Sequence, residues 1–258
     1  MRFTDKVVVV TGAARGIGFA TAELVVAEGG RVAVCDRDAD AVAVAADKLG
    51  GDTLGLVGDV RDTAAVAANL DAVLDRFGRV DVLVNNAATQ VLTPAHELTD
   101  EHWHRELDVC LTGSFRWARA VAVASMIPRR QGSIVNMGSG GGLVALPHTA
   151  SYVAAKHGII GLTKALAVDW GQYGIRVNCV CPGFTWTDLS RSVGESNPEA
   201  MRQRIARIPY GEGAQPVDIA RAVAFLASDD AGAASGSTVT VDGGTVALSS
   251  GYSAPKDG

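Results

Sequence analysis

Seven short apolar runs, spaced by longer helical patterns, constrain this chain more than any other feature. The first, KVVVVTG at 6–12, holds four consecutive valines and stops at a glycine. A strand with one wet face alternates apolar and polar residues, so an unbroken run means that both faces are covered. RVAVCD (31–36), TLGLV (53–57), VDVLVN (80–85), GSIVNM (132–137), IRVNCV (175–180) and STVTVDGG (237–244) repeat the theme. Between them the patterns predict helices over 16–29, 38–49, 62–77, 100–127, 150–171 and 216–228. Strand–helix alternation of this kind specifies a doubly wound α/β fold, a parallel sheet with helices on both faces. No linker divides the chain, so residues 1–258 are expected to form one domain. The rhythm breaks over 184–215, which is expected to be a substrate lid, and residues 249–258 read as a loosely ordered tail.

Hydrophobic residues make up 48% of the 258, enough for a large core. The net charge of −5 disfavours broad attraction to nucleic acid or to an anionic membrane. The apolar run near the start is too short for a leader or a span, and a cytoplasmic location is expected. The cysteines at 35, 110, 179 and 181 lack the paired spacing of a disulfide framework and read as small buried hydrophobes. Within VNCVC, Cys179 and Cys181 are expected to face opposite sides of a strand. EHWHRE (101–106) suggests a metal cluster at first sight, but His102 and His104 diverge on a helix, and no metal site is expected.

The segment TGAARGIG (11–18) follows the first strand and opens the first helix. Gly12 suits a tight turn, and Gly16 and Gly18 let backbone approach a pyrophosphate at the positive end of the helix, with Arg15 and Ile17 between them. Asp36, at the end of the second strand, is placed to bind the hydroxyls of an adenosine ribose. Its competing role is the N-cap of the next helix. A 2′-phosphate about 4 Å from that carboxylate would be repelled by roughly 1 to 4 kcal/mol, which favours NAD over NADP. Arg15 and Arg37 argue the other way, since either could pair with that phosphate. Asp59 and Val60 are placed for the adenine, and Asn86 and Ala87 of NNAA for the middle of the dinucleotide. Both pairs could equally be turn residues.

In SYVAAK (151–156), Tyr152 and Lys156 stand four apart and share one helix face. A free phenol titrates near pH 10, so acid–base work near neutrality needs about 4 kcal/mol of help. An ammonium 4–5 Å away supplies ~3–4 kcal/mol at an effective dielectric constant of about 20. Ser139, just after the fifth strand, could donate a hydrogen bond to a substrate oxygen.

TGAARGIG, Asp59-Val60, NNAA, Ser139 in GSIVNMGS, Tyr152 and Lys156 in YVAAK, and CPGFTWT (181–187) occur in this order. Together they make the chain resemble the short-chain dehydrogenase/reductase family along nearly its whole length. The resemblance implies a Rossmann-like sheet in the order 3-2-1-4-5-6-7 and hydride transfer between a nicotinamide and a secondary alcohol or ketone. It implies that Ser139, Tyr152 and Lys156 are catalytic, and that Pro182, Gly183, Thr185 and Thr187 flank the cofactor. It also suggests a homotetramer built through the helices at 100–127 and 150–171 and the last strand. Cys110 occupies a position where the family usually has asparagine, with a backbone carbonyl that holds a relay water. The cysteine keeps that carbonyl and loses the amide side chain, so the relay water and activity are expected to survive; the rival reading is a weakened or retired enzyme. Ala88 and Ser151 also depart from the usual glycine and alanine. Gln90, Gly141, His148 and Trp186 are candidates to touch substrate. Rival readings are a 3-oxoacyl-carrier-protein reductase, which usually prefers NADPH, and a non-catalytic nucleotide sensor.

Overall fold

The computed structural model describes residues 1–187, 190–191 and 197–248. The expected tail, 249–258, and part of the expected lid therefore lie outside the described residues. Seven parallel strands form one sheet: β1 (Val7–Thr11), β2 (Arg31–Asp36), β3 (Leu54–Val57), β4 (Val82–Asn85), β5 (Gly132–Met137), β6 (Ile175–Pro182) and β7 (Thr238–Val241). Their order is β3-β2-β1-β4-β5-β6-β7, as the resemblance implied.

The valine run shows why the sheet is two-sided. Val7 and Val9 join Leu83, Trp117 and Ile134 in one core layer, while Val8 and Val10 join Val25, Val135 and Ile219 in the other. Successive side chains of a strand point to opposite faces, so a strand buried on both sides has to be apolar throughout. The described helices are α1 (Gly16–Ala27), α2 (Ala39–Leu49), α3 (Thr63–Phe77), α4 (Asp100–Leu107), α5 (Gly113–Val121), α6 (Ile127–Arg129), α7 (Ala150–Gly171), α8 (Pro198–Ile205) and α9 (Pro216–Ala227), and all but α8 belong to the layers on the two sheet faces. Asp38 and Asp62 cap α2 and α3 by accepting first-turn amides, and Gly78 ends α3 in the left-handed conformation.

Three expectations need correction. The helix over 100–127 is not continuous: π-helical turns at Asp108–Thr112 and Ala122–Met126 separate α4, α5 and α6. Pro128, which has no amide hydrogen, follows the second of these turns and helps to end the regular ladder. Cys179 and Cys181 do not face opposite sides of β6. Residues two apart share a face, and their sulfurs lie 3.8 Å apart, both fully buried. The last strand stops at Val241 because Asp242 begins a turn, with Gly243 and Gly244 at positive φ.

The expected lid contains α8 and a small core of its own, in which Phe184, Met201 and Ile208 pack with Trp186 and Ile205. Among the described residues no helix is long and apolar enough to cross a membrane, and no three His, Cys, Asp or Glu side chains gather as a metal site would require.

Candidate active site

The residues singled out in the sequence converge at the C-terminal edge of the sheet, where the strand order reverses between β1 and β4. Gly12 turns the chain at φ +62°, and a Cβ there would stand 2.7 Å from Ala87 Cα. At Gly18 a Cβ would lie 2.3 Å from the Gly12 carbonyl oxygen, so only glycine fits. Asn86 braces this turn rather than projecting from it: its Nδ2 donates to the carbonyls of Thr11 (3.0 Å) and Gly12 (2.8 Å). The amides of Asn86 and Ala87 both donate to Thr11 Oγ1. Gly16 faces Thr187, whose Cγ2 would be 3.6 Å from a side chain at Gly16, so the loop after β6 closes over the glycine turn. Ile17 packs into the core beneath.

Among the described residues no side chain caps the start of α1. Its first-turn amides are therefore donors available to an anionic group, as a pyrophosphate requires. A cleft beside them is lined by Gly12, Asp36, Arg37, Asp59, Val60 and Ala87, among others. These features fit a dinucleotide. The N-cap alternative for Asp36 falls to Asp38, which accepts from the Ala41 amide. Asp36 instead takes the amides of Arg37 (2.8 Å), Asp38 (3.4 Å) and Ala14 (3.4 Å) at the rim of the cleft. Arg15 is ion-paired with Asp38, while Arg37 is exposed. Asp59 is clamped by Arg61 at 2.7–3.1 Å, a partner that the sequence reading missed. That pairing holds the Asp59 carboxyl below the usual carboxylate range.

At the other end of the crevice, Ser139 caps the short turn Gly140–Gly142 by accepting from the Gly141 amide at 3.0 Å. Its hydroxyl hydrogen has no acceptor among the described residues. Tyr152 is half-buried on α7, and Lys156 is 2% exposed one turn further on. Lys156 Nζ lies 5.6 Å from the centre of the Tyr152 ring and donates to the Met137 carbonyl at 2.7 Å. Burial works to lower the pKa of this ammonium. The anionic forms of Tyr152, Cys110, Cys179 and Cys181 work to raise it and prevail, so the pKa lies above its ordinary value.

Gly141 marks where the groups meet. A side-chain carbon there would stand 3.4 Å from Ser139 Oγ, 3.5 Å from Tyr152 Cε1 and 3.3 Å from Leu146 Cδ1. Leu146 was not foreseen. Leu143 and Val144 beside it are also exposed.

Cys110 sits fully buried in the first π-turn. The smaller side chain makes contacts of its own. The thiol donates to the Thr89 carbonyl (3.4 Å) and accepts from the Thr89 amide (3.5 Å). Its own carbonyl accepts from Ser114 Oγ at 3.1 Å.

His148 is exposed at φ +60°, and its carbonyl accepts from the Thr93 amide at 2.8 Å. Gln90 is exposed nearby. Trp186 stacks edge-on against Phe184, with the guanidinium of Arg191 over its ring. It thus packs within the lid's own core. Pro182 ends β6, Gly183 lies against Asp242, and Thr185 bonds back to the Gly183 carbonyl.

A family model described as enoyl-(acyl carrier protein) reductase matches residues 12–246. The chain is 40% identical over 247 residues to a D-threitol dehydrogenase of Mycolicibacterium smegmatis, covering 94% of each. It is 38% identical over 244 residues to a 3-oxoacyl-[acyl-carrier-protein] reductase of Vibrio cholerae, covering 95% of this chain and 98% of that one. The chain is a short-chain dehydrogenase/reductase. The crystal structure of a levodione reductase superposes on this short-chain dehydrogenase/reductase with a TM-score of 0.90, at 34% identity, covering 96% of this chain and all of that one. As a short-chain dehydrogenase/reductase it is an oxidoreductase that works with a nicotinamide dinucleotide.

Proposed function

We propose that this oxidoreductase interconverts a secondary alcohol and a ketone, with Tyr152 as general acid and base and NAD as the preferred cofactor. The observation that carries this reading is the meeting of Ser139 Oγ and the Tyr152 ring at Gly141, backed by the buried Lys156 ammonium. Ser139, with its oxygen occupied by the Gly141 amide, is free to donate its hydrogen to the substrate oxygen and orient it. The Lys156 amine is held beside the ring by the Met137 carbonyl, and its positive charge would stabilise the negative charge that develops on the Tyr152 oxygen as proton transfer proceeds. In the reverse direction the phenol returns that proton to the ketone oxygen. Gly12, Gly16, Gly18, Asp36, Val60, Ala87 and Thr187 would hold NAD, which supplies the hydride acceptor.

Asp36 at the cleft and the commitment of Arg15 to Asp38 support NAD over NADP. We expect kcat/KM to favour NAD by about tenfold or more, the equivalent of roughly 1.4 kcal/mol. A tenfold preference for NADP in the same assay would reverse the assignment. The apolar lip of Leu143, Val144 and Leu146 supports substrates with a hydrocarbon face beside the carbinol carbon. In a panel of D-threitol, other polyols, cyclic alcohols, hydroxysteroids and acetoacetyl-CoA, the cyclic alcohols should lead. A lead for acetoacetyl-CoA with NADPH would instead favour the acyl-carrier-protein reductase reading, which the Vibrio relative supports.

A homotetramer would cover Val123 and Val168, which are exposed on the long interrupted helix and on α7. Light scattering tests this, and the mass of a single chain would oppose it.

A further inference from the structure

Glu106 is the last acidic residue of EHWHRE and the one buried residue of α4. It is 0% exposed, and among the described residues no cation pairs with it. Its two carboxyl oxygens are divided between two elements: one accepts from the Val91 amide, the other from Ser151 Oγ. Ser151, itself 1% exposed, immediately precedes Tyr152 and stands where the family usually has alanine. A carboxyl group is costly to bury, and an apolar side chain of similar volume would hold two helices together at least as well. Packing alone therefore gives no reason for an acid here.

The segment that Glu106 grips is tied down at alternate residues. Thr89 is held by the Cys110 thiol, Val91 by Glu106 and Thr93 by the His148 carbonyl. These three are half-buried, whereas Gln90 and Leu92 between them are exposed, Leu92 at 74%. An extended chain shows this alternation when one edge is pinned and the other faces open space. The His148 tie joins the segment to the loop carrying Leu146, which reaches the point between Ser139 and Tyr152.

We propose that Glu106 is a positioning residue for substrate: through Val91 and Ser151 it clasps the pocket wall at 89–93 to the first turn of the helix that carries Tyr152. The inference rests on the reading of Tyr152 as the reacting group. Among the described residues Glu106 makes no hydrogen bond to Tyr152 or Ser139. Thr89 at the start of the segment also lines the dinucleotide cleft, but it has its own tie to Cys110; Glu106 holds the segment further on, at Val91, and so acts chiefly on substrate binding.

Three variants test this: Glu106→Gln, Glu106→Leu and Ser151→Ala. A glutamine keeps the clasp, because its oxygen can still accept from Val91 while its amide donates to the Ser151 hydroxyl, which can accept instead. Leucine removes both bonds. Readouts are the KM and kcat of the best alcohol of the panel, the Kd of NADH by fluorescence, and amide hydrogen exchange of the peptide covering 89–93. Glu106→Leu is expected to raise KM about tenfold and speed exchange at 89–93 about tenfold, with Kd for NADH changed less than about twofold. Ser151→Ala should shift KM the same way by about threefold, which covers the case in which Glu106→Leu does not fold. Glu106→Gln should match the parent protein in all three readouts. Faster exchange with unchanged KM, or equal losses in KM and NADH affinity, would overturn the proposal, as would a glutamine variant no better than leucine. The exchange readout needs no turnover. Failure of the Tyr152 reading would show separately, as a Tyr152→Phe protein that remains active.

Discussion

Tyr152→Phe is expected to lower kcat by about 10²- to 10⁴-fold, the range that a positioned general acid or base contributes. The substitution removes one oxygen and leaves the ring, so Lys156 keeps its aromatic neighbour and its bond to the Met137 carbonyl. The cofactor cleft lies along the same edge of the sheet but beside the ends of β1, β2 and β3, around Gly12, Asp36 and Val60. The Kd for NADH should therefore change less than about threefold. A matching loss in kcat and in kcat/KM is the signature of an interaction made in the transition state, and steady-state kinetics on the best alcohol of the panel would show it. Cys110→Asn provides the contrast. The thiol already makes the paired bonds to Thr89, and the carbonyl is unchanged by the swap, so kcat should move less than about tenfold. Turnover of Tyr152→Phe within tenfold of the parent would remove the phenol from the chemistry. A gain of a hundredfold or more in Cys110→Asn would mean that the cysteine has weakened the enzyme.

What the sequence made legible follows the strength of its local rules. The valines of β1 can be satisfied only by a sheet covered on both faces, and Gly12 and Gly18 only by a backbone crossing too close for a Cβ. Tyr152 and Lys156 were readable because a spacing of four on a helix is fixed by its pitch. Glu106 was not readable, since an acid in a stretch as polar as EHWHRE looks solvated; its burial depends on where Ser151 and Val91 arrive from elsewhere in the chain. Ser151 was noticed as a departure from the family, and it was the available clue to that clasp. Leu146 and the Met137 carbonyl belong to the site through tertiary placement alone. The π-turn that holds Cys110 also escaped, because one extra residue in a helical turn barely disturbs an apolar pattern.

The largest expected effect on stability lies at the opposite end of the sheet. Asp81, just before β4, is 7% exposed and accepts from the Val7 amide (2.8 Å), Arg79 Nε (2.9 Å) and Arg129 Nη2 (2.5 Å). Its own carbonyl accepts from the Ser133 amide, so it joins β1, β4 and β5 to the end of the long interrupted helix. Removing one partner from a buried ion pair costs about 3–5 kcal/mol. Arg79 and Arg129 are partly exposed and can turn to water, so Asp81→Ala should fall near the lower limit, about 3 kcal/mol. For a chain of this size that corresponds to a fall of about 6–12 °C in Tm.

The pH dependence gives the sharper test. Burial works to raise the Asp81 pKa, but the Val7 amide, Arg79 and Arg129 outweigh it and hold the carboxyl below its ordinary value. A carboxylate with a depressed folded-state pKa stabilises fully above its unfolded value of about 3.9 and loses that contribution as pH falls through the folded value. The gap in stability between the parent and Asp81→Asn should therefore be constant from neutral pH down to about 5 and should shrink below about 4. Denaturant titrations at a series of pH values would measure it. A gap that persists undiminished at the acid end would mean that Asp81 stabilises by shape and neutral hydrogen bonds, not by its charge. Because Asp81 lies far from Ser139 and Tyr152 along the strands, kcat per folded molecule should stay unchanged throughout.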